Sequence, residues 1–299
     1  MQSPSALTGK PDAGSKPGGM RRIIAAVLLV VFVVAYYLVL SGFLAEGENR
    51  ATPFTIGDPA QHADYVNIDA KLMSVDPAKG EASIRLQFTP HGAFDKGGNV
   101  AQDLKLSVNG STGNVERAFA KGKPMNPTDV TVDLVGVFTN FPFDQHSAAL
   151  ALNMSTVDKD PAQETLVPVV LNFSGSLHGL TVMPGKDPES EDLYPVLDVG
   201  VTRATSTVFF AVFIIVVMWL LALGSLYLTV LVLQGRKVEL AMFSFLASLL
   251  FAFPAIRNVL PGTPPLGALN DFIAFFWTES IVAICLLTLI GTWIMRPQK

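Results

Sequence analysis

One cysteine, Cys285, stands among 299 residues, and it lies in an apolar run. No intrachain disulfide can form, which excludes a small disulfide-stapled scaffold and a cysteine-based zinc site. A domain of about 150 residues folds on its core alone, so an external location is still open. Charge is scarce too. Only 15% of the residues are charged and 50% are hydrophobic, against about a quarter charged in a soluble protein. That excludes a disordered chain and argues against an ordinary cytosolic enzyme. The motifs of catalysis are also missing: no Gly-x-Ser-x-Gly, no His-Glu-x-x-His and no Gly-rich phosphate loop. His62, His91, His146 and His178 stand far apart in sequence and read as surface or hydrogen-bonded side chains.

What charge there is falls unevenly. Residues 46–203 hold 12 Lys+Arg and 21 Asp+Glu, a net of −9, and the remainder is +5. Four apolar runs flank or follow the acidic region, at 23–45, 207–233, 238–256 and 272–295. Each has roughly the 20 residues that a helix needs to cross a bilayer. The first run is too long for the apolar part of a signal peptide and follows a tail, so an uncleaved anchor is expected. Lys10, Lys16, Arg21 and Arg22 precede it, Arg236 and Lys237 join runs two and three, and Arg296 and Lys299 follow run four. The positive-inside rule places these three groups, and both termini, in the cytoplasm. Residues 1–22 are rich in Ser, Pro, Gly and Lys and read as a disordered tail. Residues 46–206 then lie outside a plasma membrane.

That outer region alternates with period two. Val66, Ile68, Ala70 and Leu72 precede the turn Asp76-Pro77-Ala78-Lys79-Gly80, and Ala82, Ile84, Leu86 and Phe88 follow it. About eight or nine strands fit, the signature of an antiparallel sandwich. Gly136 inside an apolar stretch marks a bulge. The acidic loop Asp187, Glu189, Glu191 and Asp192 reads as solvated, and its spacing matches no EF-hand. Asn109, Asn153 and Asn172 head glycosylation sequons that matter only in a eukaryotic secretory pathway. The expected fold is an α+β membrane protein, with an extracytoplasmic antiparallel β-sandwich inserted between the first and second helices of a four-helix transmembrane bundle.

Within the third run, Ala241, Ser244, Ser248, Ala252 and Ala255 share one face, and Phe243, Leu246, Leu250 and Phe253 the other. Small residues let helices approach closely in lipid, so the small face is expected to pack inward. Glu279 stands about 10 Å into the fourth run at 1.5 Å per residue. A carboxylate there costs about 2.5–3.5 kcal/mol, which makes it a functional candidate for ion or proton handling, against a structural pair or hydrogen bond with Arg257 or Ser248. Glu279→Gln is accordingly expected to lower function more than His146→Ala.

The order of parts, and the segment Arg257-Asn258-Val259-Leu260-Pro261-Gly262-Thr263-Pro264-Pro265 running into Asp271-Phe272-Ile273-Ala274-Phe275-Phe276-Trp277-Thr278-Glu279, resemble an uncharacterised four-span family. That family is domain of unknown function 4436, frequent in mycobacteria and relatives. The resemblance spans nearly the whole chain and implies a bacterial plasma membrane and no assigned activity. A second resemblance rests on Phe141-Pro142-Phe143-Asp144-Gln145. It is similar to the Pro-loop at the base of the outer domain in pentameric ligand-gated ion channels, where an Arg, here Arg203, leads into three spans. The third run, from Lys237-Val238-Glu239-Leu240 to Arg257-Asn258-Val259-Leu260-Pro261, looks like that family's pore helix. The resemblance implies that Phe141, Pro142, Phe143, Asp144 and Arg203 couple domain to membrane. The chain departs from that family in ending before a further span, which the first run would replace.

The expected role is a non-enzymatic membrane protein without cofactor, metal or nucleic-acid partner. Its sandwich would bind a partner protein, an envelope component or a small ligand, and the chain would pair with a membrane protein or with itself. An oligomeric channel with the large face of the third run on its axis is the second expectation, and an envelope enzyme with an unrecognised site the third.

Overall fold

Alternation of buried and exposed side chains builds most of the β-domain. The structure, a computed structural model, describes residues 26, 29–30, 32–37, 39–44, 53–157, 164–262 and 264–296. The chain divides into two units, Met1–Leu44 and Ala45–Lys299. Of the first unit, an apolar helix α1 (Phe32–Leu44) is described. Residues 23–25, 27–28, 31, 38 and 45 of run 23–45 and the tail 1–22 lie outside the described residues.

In the second unit, β2 (Tyr65–Asp76) and β3 (Glu81–His91) pair antiparallel. Val66, Ile68, Ala70 and Leu72 of β2 are all buried, as are Ala82, Ile84, Leu86 and Phe88 of β3. Burying one such Val, Leu or Ile contributes about 1.5–3 kcal/mol. The turn between the strands forms because Asp76 Oδ1 accepts the backbone N–H groups of Ala78 and Lys79 at 3.1 Å, and Gly80 takes φ 72°. β8 (Thr128–Gly136) continues this layer by pairing with β3 up to Asp133. It then hands over to β9 (Gln145–Thr156) at Leu134–Gly136. β9 in turn pairs with β13 (Val196–Arg203) and with β6 (Leu104–Gly110). β12 (Leu180–Lys186) forms one sheet edge beside β13, and β1 (Phe54–Ile56) the other beside β11 (Val169–Gly175). β7 (Gly113–Phe119) closes a hairpin with β6, and β10 (Leu166–Val167) adds to β9. β4 (Asp95–Lys96) and β5 (Asn99–Val100) form a small ribbon. The inward side chains of both layers merge in one apolar core, a sandwich-like arrangement.

Two expectations about strands are corrected. β11 runs parallel to β2, so the sheet is mixed rather than purely antiparallel. β11 follows β9 and β10 in the other layer, so it reaches β2 by a crossover, which allows the same direction. Among the described residues there are 13 strands, more than the alternation signalled. The run 167–173 splits at Pro168 into β10 and β11 because proline has no N–H to donate.

Three helices of the second unit are long and apolar enough to cross a membrane: α2 (Thr205–Leu233), α3 (Leu240–Asn258) and α4 (Phe276–Met295). A π-helical turn, Asp271–Phe275, extends α4 at its start. α4 packs against both α2 and α3, which meet each other little. The buried residues recur every three or four positions. They are Ala211, Ile214, Met218 and Ala222 in α2, Val282, Cys285 and Leu289 in α4, and Met242, Leu246, Leu249 and Phe253 in α3.

The small face of α3 is therefore corrected. Ala241, Ser244, Ser248 and Ala255 are exposed and Ala252 is partly so, while Leu246 and Phe253 are fully buried. Among the described residues of the second unit α3 has one close helical neighbour, α4, and large side chains gain more dispersion contact there than small ones would. Leu246 and Phe253 are consequently turned away from any axis that α3 would line.

Candidate functional site

The end of the sandwich nearest the helices is built by the connection between β8 and β9. Within it Phe141 is completely buried, and it belongs to the apolar core of α2, α3 and α4 rather than to that of the sandwich. Phe143, two residues on, is 58% exposed. The Phe141–Pro142 peptide is cis.

Asp144 closes this connection. Arg203 Nε donates to both carboxylate oxygens at 2.9 and 3.0 Å, and Nη2 donates to Oδ2 at 2.9 Å. His146 Nε2 also donates to Oδ2, at 2.9 Å, which sets the proton on that nitrogen. All three side chains are buried, the Asp144 carboxylate completely. The guanidinium carbon of Arg203 stands 5.1 Å from the centre of the Phe141 ring, so cation–π attraction adds to the ion pair. Burial alone would raise the Asp144 pKa, but the hydrogen bonds from Arg203 and His146 outweigh it and hold the carboxyl below its ordinary value.

Local backbone explains the fit. Arg203 ends β13, and α2 begins two residues later. Asp144 and His146 point the same way because side chains alternate along a strand. Gly136 is the register partner of His146, and a Cβ there would collide with the imidazole and the backbone beside it. The glycine thus serves close approach rather than the expected bulge. Gly262, at φ +74°, lies between α3 and α4, and a Cβ on it would strike Arg203 Nη1. Arg203 therefore touches the β8–β9 connection and the α3–α4 connection at once. A cleft of about 390 Å³ opens beside it, lined among others by Ser74, Asp76, His178 and Pro261.

A second ion pair orders the α3–α4 connection itself. Arg257 Nε and Nη2 donate to the two oxygens of Asp271 at 2.9 and 2.8 Å, and Nη2 also reaches the Pro265 carbonyl at 2.7 Å. Gly267 N–H donates to the same carboxylate. The expected partner of Arg257 was Glu279; the observed one is Asp271. Ser248 donates to the Ser244 carbonyl instead. Glu279 keeps Oε2 buried with no hydrogen-bond partner among the described residues, as does Asn270 at Oδ1. Trp219 of α2 donates to the Ile273 carbonyl, an acceptor within the π-helical turn.

The structure brings Phe141, Asp144 and Arg203 of the expected coupling set together, and adds His146 and Asp271, which the sequence had not singled out as site residues. The signal for His146 was an Asp-x-His alternation on an apolar strand face. That for Asp271 was an acid one residue before an apolar run. The other histidines lie elsewhere: His62 bonds Asp192 at 3.1 Å, His91 stacks on Tyr65, and His178 lines the cleft. Asn109 of the first sequon is engaged by its own fold, bonding Ala149 and Ala151 of β9. Chemically, the junction balances one carboxylate against one guanidinium around a histidine. It holds two parts of the chain together and offers no nucleophile.

A β-sandwich-like domain that sends Phe141 into the core of three helices, each long and apolar enough to cross a membrane, defines a class of membrane-type proteins. Residues 56–202 match the family described as a domain of unknown function, DUF4436, and residues 203–296 match a second, DUF8686. The first match is the family that the sequence resembles. The segment 257–279, on which the resemblance was read, falls within the second match. A search of curated proteins finds no match.

Proposed function

We propose that this is a non-enzymatic plasma-membrane protein whose outer β-domain recognises a partner protein, an envelope component or a small ligand and passes that event to its helices. The observation that carries this reading is the junction. Asp144 is held by Arg203 and His146 while Phe141 reaches into the helical core. A displacement of β9 or β13 has no slack to absorb it before reaching α2 and the α3–α4 connection. Four spans, with residues 1–22 and both termini cytoplasmic and 46–206 external, complete the proposal, and flanking Lys and Arg support that direction.

Hydrogen exchange on the full chain in membranes, with and without envelope extract, tests it. Protection changing at residues 137–146 together with 259–271, and uncoupled by Asp144→Asn, is the expected outcome. Binding that alters only the distal strands would sink the transducing role.

A second reading is favoured by one feature of α3. Its exposed face carries Ser244 and Ser248 among alanines, which suits a hydrated axis in a ring of copies better than the large face does. The mass of the assembly in native membranes separates the two. A pentamer with ion flux in liposomes supports a channel, and a monomer or a complex with another membrane protein supports the sensor.

A further inference from the structure

We infer that the groove between the start of α3 and the end of α4 binds an anionic phospholipid. The inference rests on α2, α3 and α4 lying in a membrane, and on no particular direction across it. The groove has a volume of about 480 Å³ and is walled by Val238, Leu240, Phe243, Ile290 and Trp293. That volume lies within the roughly 300–1,000 Å³ of ordinary ligand pockets. Phe243 and Trp293 meet edge to face in its wall, with ring centres 6.4 Å apart.

Charge gathers at one end. Arg236 and Lys237 are exposed in the link immediately before α3. Arg296 is fastened beside them, with Nη1 donating to the Arg236 carbonyl at 3.2 Å and Nη2 to the Leu233 carbonyl at 3.3 Å. Glu239 is the acid in the same stretch, so three cations face one carboxylate. The indole N–H of Trp293 is a donor with no partner among the described residues, and tryptophans sit at the level of lipid headgroups and esters. A hydrocarbon wall, a free N–H and a cationic rim in that order match an acyl chain, an ester and an anionic phosphate. A neutral helix would fill the wall and leave the rim unmatched.

Tryptophan quenching on the full chain in phosphatidylcholine vesicles tests this, with dibrominated phosphatidylglycerol or dibrominated phosphatidylcholine as the quencher. Trp293→Phe run in parallel isolates the share of Trp293. The expected result is an association about fivefold stronger for the anionic lipid, falling to parity in the double variant R236Q/K237Q. Equal quenching by both lipids in the unaltered chain would overturn the site, leaving ordinary boundary lipid. So would a preference that survives R236Q/K237Q. Quenching of Trp277 but not of Trp293 would show the groove filled by protein and overturn it too. Quenching of no tryptophan by either lipid would instead overturn the membrane placement.

Discussion

In the β-domain most apolar side chains turn inward, and away from the Asp144 junction ion pairs such as Arg85–Asp129 are exposed. In α2, α3 and α4 an apolar core is buried too, but large apolar side chains also cover the surface and several polar ones lie inside. Leu240 and Phe251 are about 80% exposed (82% and 80%), while Ser225, Thr229, Thr278, Arg257 and Asp271 are buried. The buried hydroxyls bond to carbonyls of their own helices, as Thr229 does to Ser225 and Thr292 to Thr288. The membrane setting proposed for α2, α3 and α4 accounts for the difference. Water rewards apolar burial, whereas lipid tails do not discriminate between apolar faces, so close packing and polar satisfaction order the helices instead. The junction at Asp144 combines both habits, a buried ion pair under an aromatic anchor.

The comparison breaks most severely at Asp271. Asp271→Ala leaves Arg257 buried and uncompensated, and a loss of about 3–5 kcal/mol is expected. Thermal unfolding in detergent measures it, and R257M/D271L should recover most of the loss. Next comes Phe141→Ala, which removes a side chain of the sandwich from the core of the helices. A loss of about 3 kcal/mol is expected, with the helical region melting earlier while the β-domain keeps its own transition. Coincident shifts of both transitions would mean that the two cores are one cooperative unit.

Asp144→Asn should cost about 2 kcal/mol at neutral pH, since it weakens hydrogen bonds to a buried charge. Its pH dependence has a definite sign. The folded pKa lies below the ordinary 3.8, so the stabilisation is present above about that pH. It is lost as pH falls through the lower, folded value. The stability gap between the unaltered chain and Asp144→Asn should therefore close only in acid below about pH 3.8, as acid titration followed by circular dichroism would show. The smallest effect is expected from Arg85→Gln. That pair is bidentate but lies in water, so no measurable change in melting temperature is expected. A large one would mean that the surface of the β-domain is covered in the assembled protein.

Much of this fold was legible. The alternation in β2, β3, β6 and β8 marks strands because a half-buried sheet demands period two. The runs that became α2 and α4 mark helices because every residue in them tolerates lipid. Less legible were the edge strands β1 and β7, which are short or mostly exposed and carry little alternation. The packing face of α3 misled for a physical reason. Small and large faces both satisfy a lipid environment, and only the position of α4 settles which is covered. Of the junction, Phe141, Asp144 and Arg203 were signalled by motif and order, and Phe143 and Pro142 came with them. His146 was not, because an Asp-x-His spacing does not by itself show that Arg203 and Gly136 close around the pair.

The sequence by itself determined composition, charge segregation, three apolar helices and a β-rich region between apolar segments. These follow from transfer free energies and local periodicity, which need no knowledge of distant contacts. Only the tertiary structure decided that Arg257 meets Asp271 rather than Glu279, that β11 lies parallel to β2, and that α3 turns its serines outward. Those outcomes depend on which groups approach within a few ångströms, where sterics and hydrogen-bond geometry choose among partners that are equivalent along the chain.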